Sequence, residues 1–344
     1  MKAVIMAGGH GTRLWPLSTK ERPKQFQKIL GEKTLLQAAY ERLKFVKDED
    51  IFVSTNQDFA HLVIEQLPNL PKANIIIEPL RRDTGPAMAF VTHHLAQLGF
   101  SNDVISIIYA DQYIKDTAAL QSKLALAFQL AQSTKKIIMI PIKAKEPNIN
   151  LGYIKLGAMI DQQNDHNIYE LDQFIEKPDL KTATSYANSN NYLWNTGLYT
   201  WHIASFLEML KKHTPEIYKV LETITNTANC EAQYENFPKI SIDYALMEKL
   251  AKNEVLVIPA DFEWSDVGNW QTVHEHLQDE NTNVLNGEVH TIDTENSIIY
   301  TNGEQRIVTI GIKDLAIICT KDTILICPKS ETNRLKQMVE KLDQ

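Results

Sequence analysis

Along the first 140 residues, short apolar runs alternate with longer segments whose apolar side chains recur at helical spacing. The runs at 3–7, 51–53, 75–77, 104–109 and 137–140 show no polar alternation, the pattern of strands covered on both faces. Between them, Leu36, Ala39, Tyr40 and Leu43 share one face of a helix predicted over 34–46. The sequence Thr34-Leu35-Leu36-Gln37 opens it as a capping box. Further helices are predicted over 57–67, 84–98 and 116–131; the second is capped by Thr84 and carries Pro86 in its first turn, where proline is tolerated. Strands alternating with crossover helices build a doubly wound, mostly parallel sheet.

The pattern then changes twice. Residues 152–157 and 169–174 alternate apolar and polar side chains, which predicts an antiparallel excursion from the wound sheet and makes that sheet mixed. Helices over 203–211, 215–224 and 241–251 follow as packing elements, and Trp194 and Trp201 as core side chains. From about Asn283, apolar segments at Val289, Ile298, Ile307, Ala316 and Ile324 recur with turn residues between them, and Ser330 caps a last helix. The expectation is an α/β domain over 1–280 and a small β module over 281–344. Periodicity alone fits both a coil of stacked strands and a small sandwich.

Composition narrows the partners. A chain of 344 residues with 44% hydrophobic content can bury a large core, while a formal charge of −8 argues against nucleic acid as a ligand. Any anionic substrate must be held by local cations or metal. Cys230, Cys319 and Cys327 are too few and too scattered for a disulfide framework or a zinc site. No run approaches the length of a membrane span and no signal-peptide core precedes Gly8, so a cytoplasmic protein without membrane contact is expected.

Candidate chemistry gathers where strands end. After the first strand, Gly8, Gly9 and Gly11 let the backbone turn sharply and bring successive N–H groups, with that of Thr12, toward a phosphate. Arg13 and Lys24 add a planar and a mobile cation, a combination suited to a polyphosphate. A simple glycine turn is the competing explanation, and neither the P-loop nor the dinucleotide fingerprint is present. In a parallel sheet the strand carboxyl ends face the ligand crevice, which makes the stretch from Glu78 to Gly85 a candidate base pocket or else only a helix start. Asp111, at the end of the strand 104–109, is placed to hold Mg²⁺ or to cap a turn. Asp266, framed by Trp264 and Trp270, is the candidate for a second metal carboxylate or a loop cap.

The length of the first pattern decides among these alternatives. Arg13-Leu14-Trp15-Pro16-Leu17-Ser18 followed by Arg22-Pro23-Lys24-Gln25-Phe26 resembles the entry loop of the sugar-nucleotide pyrophosphorylases, and within them the guanylyltransferases acting on mannose 1-phosphate. Phe174-Ile175-Glu176-Lys177-Pro178, Leu193-Trp194-Asn195-Thr196-Gly197 and Asp266-Val267-Gly268-Asn269-Trp270 extend the resemblance over nearly the whole chain. It departs from the family's pattern at Gln112, where histidine is usual, and at Asp83-Thr84-Gly85-Pro86, where Asn-Thr-Ala-Pro is usual.

The resemblance implies a Rossmann-like nucleotidyltransferase with a left-handed β-helix module, Mg²⁺ as cofactor and a homodimer. It implies that GTP and mannose 1-phosphate react to GDP-mannose and pyrophosphate. Arg13 and Lys24 would be the catalytic cations, and Gly8, Gly9, Gly11, Thr12, Glu78 and Gly85 would hold the nucleotide. Lys177 would meet the sugar phosphate, Glu176 and Asn195 the hydroxyls, and Gly152 would offer backbone to the sugar. Asp111 and Asp266 would carry the metal. Two other readings stay open: a uridylyl- or thymidylyltransferase on glucose 1-phosphate, and a non-catalytic relative that senses GDP-mannose.

Overall fold

The computed structural model describes residues 1–9, 11–224, 227–278, 282–303 and 305–342. They form two compact units, each assembled from more than one stretch of chain. The first takes residues 1–7, 40–109 and 114–264; the second takes 8–39, 110–113 and 265–344.

The first unit is built on an eleven-stranded sheet among the described residues. At one side Ile75–Glu78, Ile51–Asn56, Lys2–Met6 and Val104–Tyr109 run parallel in that order. Lys2–Met6 is buried along its whole length and Val104–Tyr109 nearly so, which is why neither alternates in sequence. Register brings their carboxyl ends to one edge, with Met6 opposite both Ser54 and Tyr109, and Asn56 opposite Glu78. Tyr199–His202 joins antiparallel to Val104–Tyr109, and the hairpin Tyr153–Gln163 with His166–Ile175 supplies the antiparallel part. The sheet is thus mixed, with helices such as Thr84–Leu95 and Thr117–Thr134 between its parallel strands.

One face of the sheet carries a continuous core of Val4, Phe52, Ile105, Ile107, Trp201, Phe206 and the buried face of Thr84–Leu95. Trp201 stacks on Phe206 with ring centroids 4.0 Å apart. Each such side chain contributes roughly 1.5–3 kcal/mol on leaving water, so this layer holds the strand ends rigidly.

The second unit centres on coiled strands. Val284–Asn286, Ile298–Thr301 and Leu315–Cys319 pair in parallel one upon the next, and Ile324–Pro328 closes the row antiparallel. Val289–Ile292 and Ile307–Ile310 form a second parallel pair. Parallel pairing of successive strands is the arrangement of a stacked coil, so the pairing decides a question that periodicity left open. Left-handed backbone at Asp293, Asn296 and Asp314 turns the corners.

The stretch 8–39 packs onto this coil. Leu14, Leu17, Ile29 and Leu35 share a core with Trp270, Ile298, Tyr300 and Ile318. The Trp270 indole donates to the Trp15 carbonyl at 3.0 Å, and the Tyr300 hydroxyl to the Lys28 carbonyl at 3.1 Å.

Several predicted helices are shorter than periodicity suggests. The helix expected over 34–46 ends at Arg42, and that over 57–67 opens with a 3-10 turn at Gln57–Phe59. The segment 241–251 is helical only over Ile242–Ala245, because Leu246 leaves helical backbone (φ −126°) before a 3-10 turn at Met247–Lys249. Tertiary bonds tie this segment down: Ile242 N donates to Thr84 Oγ1, and the Glu248 carboxylate accepts from Glu176 N. The cap of Thr84–Leu95 is Asp83, whose carboxylate accepts from Thr84 N at 2.7 Å. Among the described residues no helix is long and apolar enough to cross a membrane.

Candidate active site

In the second unit the structure pairs Lys24 with the Asp111 carboxylate and with the backbone, not the carboxylate, of Asp266, while Arg13 stands apart from them. The Lys24 side chain is buried, and its Nζ lies 3.0 Å from Asp111 Oδ2. The same ammonium donates to the backbone carbonyls of Asp266 at 3.0 Å and Val267 at 3.3 Å. Val267 has φ 44°, an unusual conformation for a β-branched side chain. That strain turns two consecutive carbonyls toward one cation and is carried by the packing of Val267, which is fully buried.

The glycine stretch supplies the floor. Gly11 adopts φ +57°, and a Cβ there would lie 2.5 Å from the Lys24 side chain, so only glycine lets Lys24 pass. Gln25, buried, donates to the Gly9 carbonyl at 2.7 Å and ties the two ends of the loop. Gly8 is partly buried and Gly9 exposed. Thr12 opens the 3-10 turn Thr12–Leu14, while its side chain falls outside the described residues. Arg13 is partly buried and makes no hydrogen bond or ion pair among the described residues.

Three oxygens around one ammonium, from Asp111, Asp266 and Val267, make a seat of hard donors. Such a set fits a divalent ion of the magnesium type, which prefers oxygen and few carboxylates. The Asp266 carboxylate stands beside Gly268, where a Cβ would come within 3.1 Å of it, and has no other partner among the described residues.

The first unit holds the predicted sugar-side residues as a second cluster. Glu176 is buried and its Oε1 accepts from Lys177 Nζ at 2.7 Å, while Lys177 itself stands in solvent with φ 46°. Gly152 lies against the Glu176 carboxylate so closely that a Cβ would collide with Oε2, and its carbonyl accepts from Asn195 N at 2.8 Å. Burial pushes the Glu176 carboxyl up, and the charge of Asp243 adds to that against the pull of Lys177. Asp243 is raised by burial too, against hydrogen bonds from Tyr199 and Asn195 and the charge of Lys177. Burial works against the Lys177 ammonium, yet the Glu176 bond leaves it raised overall.

Glu78 and Gly85 have different surroundings. Glu78 is buried at its strand end, accepts from Ser54 Oγ at 2.7 Å and from the Tyr234 hydroxyl at 3.4 Å, and burial pushes it up to about 7. Gly85 N donates to the Ile240 carbonyl at 3.0 Å, and a Cβ on Gly85 would lie 2.7 Å from that oxygen. Both therefore face their own unit's interior in part. Sequence reasoning gives no role to Gln25, Tyr199 or Asp243. Gln25 lies within the quoted entry loop, whereas Asp243 sits in a segment whose spacing reads only as packing.

Comparison with known proteins decides the family: a family model described as nucleotidyl transferase matches residues 2–283. The chain belongs to the nucleotidyl transferase family. Residues 287–342 of this transferase match a second model, described as a mannoseP isomerase/GMP-like beta-helix domain. It is 37% identical over 355 residues to the alginate biosynthesis protein AlgA of Pseudomonas putida, covering 100% of this chain and 72% of the relative. It is 35% identical to mannose-1-phosphate guanylyltransferase 2 of Escherichia coli O157:H7, over 99% of this chain and 73% of that one. A solved structure from Thermus thermophilus, described as a mannose-1-phosphate geranyltransferase, superposes with a TM-score of 0.88 at 31% identity, covering 100% of this chain and 99% of the other. Members of this family act on a nucleoside triphosphate and a sugar 1-phosphate and generally use a divalent metal.

Proposed function

We propose that the transferase moves GMP from GTP to α-D-mannose 1-phosphate, releasing pyrophosphate and forming GDP-mannose. The observation that carries the reaction class is the oxygen seat around Lys24; the substrates follow from the likeness to the Escherichia coli guanylyltransferase. An oxygen of the sugar phosphate attacks the α-phosphorus of GTP in line. A new P–O bond forms as the bond to the pyrophosphate oxygen breaks, and pyrophosphate leaves with that electron pair. The attacking phosphate is already anionic, so no side chain has to take a proton. Catalysis then reduces to positioning and charge neutralisation.

In this reading Gly8, Gly9, Gly11 and Thr12 offer backbone N–H groups to the triphosphate, and Arg13 pairs with it. Glu78 and Gly85 border the base. Asp111 and Asp266 would hold Mg²⁺, which when bound offsets the charge of the reacting phosphates. Lys24, freed from Asp111, would follow the departing pyrophosphate. Lys177 receives the sugar phosphate, while Gly152, Glu176 and Asn195 bound the sugar. The same reading takes the catalytic part as 1–280, the β module as 281–344, a homodimer as the working form and the cytoplasm as its place.

The test is a matrix of GTP, UTP, dTTP and ATP against mannose 1-phosphate and glucose 1-phosphate, with release of pyrophosphate measured. GTP with mannose 1-phosphate should give the highest kcat/KM. A higher value for UTP or dTTP with glucose 1-phosphate would replace these substrates, and absence of pyrophosphate with every pair would revive a sensing role.

A further inference from the structure

The cluster around Glu176 holds two more acids than its sequence motifs announce, Glu248 on the Glu176 N–H and Asp243. Asp243, in the short helix Ile242–Ala245, accepts from the Tyr199 hydroxyl at 2.7 Å and from Asn195 Nδ2 at 3.1 Å. Nδ2 also donates to the Tyr199 oxygen at 2.7 Å, and Gly197 N donates to Asn195 Oδ1 at 3.0 Å. A backbone N–H can only donate, so Oδ1 must face Gly197 and the amino group must face Asp243. Both amide hydrogens are then committed within the protein. The spare lone pair of Oδ1 is what Asn195 has left for a sugar hydroxyl.

The backbone leading into Asp243 is tied to the stretch 82–85. Ile240 N donates to the Arg82 carbonyl at 3.3 Å, Gly85 N to the Ile240 carbonyl at 3.0 Å, and Ile242 N to Thr84 Oγ1 at 2.9 Å. The acid is therefore fixed in place before any ligand arrives, as an orienting group must be.

We propose that Asp243 is a positioning residue for the acceptor: it turns the Asn195 amide so that Oδ1 reads a sugar hydroxyl and, with Lys177 and Glu248, fixes the electrostatic surroundings of Glu176. This rests on reading the cluster as the sugar 1-phosphate pocket. After burial, the charge of Asp243 is the largest influence holding the Glu176 carboxyl up; Lys177 opposes it and Glu248 adds a smaller push in the same direction. Removing that charge while keeping the shape lets Glu176 ionise at lower pH.

The experiment is calorimetric titration of the full chain with mannose 1-phosphate, and separately with GTP, for the wild type, Asp243→Asn and Tyr199→Phe across pH 5 to 8. Asp243→Asn should bind mannose 1-phosphate about 10-fold more weakly at pH 8 with GTP affinity unchanged, since a hydrogen bond to a charged group is at stake. Its acid-side loss of binding should lie at lower pH than in the wild type, a shift that damage to packing alone would not produce. Tyr199→Phe should weaken binding less and move the acid side less than Asp243→Asn does, since Asp243 keeps its carboxylate. Unchanged affinity and pH dependence in Asp243→Asn would overturn the role. So would equal losses for both ligands in a poorly folded Asp243→Asn while Tyr199→Phe matches the wild type. A wild type that binds mannose 1-phosphate but makes no GDP-mannose counts against the reaction and leaves the comparison at Asp243 standing; a wild type that binds no mannose 1-phosphate overturns both.

Discussion

Around Lys24, one buried ammonium is gripped by a carboxylate and two carbonyls, whereas around Glu176 a buried carboxylate pairs with a lysine that stands in solvent and a second, partly buried one, Asp243, is held by Tyr199 and Asn195. The first cluster has oxygens to spare for a cation, and its shape is maintained by backbone: Gly11 in the left-handed region beneath Lys24, and Val267 strained above it. The second is saturated with hydrogen bonds donated by Asn195, Tyr199 and Gly197 and by the Glu176 N–H to Glu248, and Glu176 and Asp243 are raised by burial. One arrangement suits gathering charge, the other reading hydroxyls. Similar residue types serve both; what differs is whether backbone or side chains satisfy them.

The comparison breaks most sharply at Asp111. Asp111→Asn keeps the size of the side chain and removes the carboxylate paired with Lys24, so pyrophosphate release should fall by about 10²–10³ with the melting temperature nearly unchanged. Turnover within a few-fold of wild type would show that the seat around Lys24 takes no part in the reaction.

A smaller effect separates the glycines. Gly11→Ala places a Cβ against Lys24 on left-handed backbone and should cost about 1–3 kcal/mol of stability and about 10-fold in turnover. Gly9→Ala meets nothing within 4 Å and should change stability by less than about 0.5 kcal/mol. Equal losses for the two, in thermal unfolding and in rate, would remove the claim that the floor beneath Lys24 is special.

The smallest effect concerns a buried acid outside both clusters. Burial raises Glu78 from an ordinary 4.5 to about 7. As pH rises through that window the folded protein keeps a proton the unfolded chain has lost, so stability falls as pH rises and the loss is complete above it. Glu78→Gln should flatten this dependence, a difference of roughly 2 °C in melting temperature between pH 5.5 and 8. A wild type and variant with parallel pH profiles would mean that Glu78 carries no such proton.

How much of this could be read from sequence depends on how local each cause is. The strand Val104–Tyr109 has the bounds predicted for it, because burial on both faces leaves a run that is apolar except for Ser106 and needs no partner to be recognised. The entry loop, the acid after that strand and the Glu176-Lys177 pair are visible as motifs for the same reason. The coil of the second unit is not, since stacked and sandwiched strands share a period and only pairing tells them apart. Nor can spacing show that Trp270 and Tyr300 anchor the entry loop, or that Asp243 serves Asn195 and Tyr199, partners 48 and 44 residues away. The helix expected over 241–251 stops where Leu246 leaves helical backbone, and spacing likewise could not show the distant bonds of that segment to Thr84 and Glu176.

The claim on which the rest depends is that Asp111 and Asp266 act on the same ion. Titrating Mn²⁺, as a paramagnetic substitute for Mg²⁺, into the GTP-loaded wild type, Asp111→Asn and Asp266→Asn and counting free ion by electron paramagnetic resonance tests it most directly. The account predicts a single tight ion in the wild type and about 10-fold or weaker binding in each variant, with both variants folded. Wild-type Mn²⁺ affinity in either folded variant would contradict it.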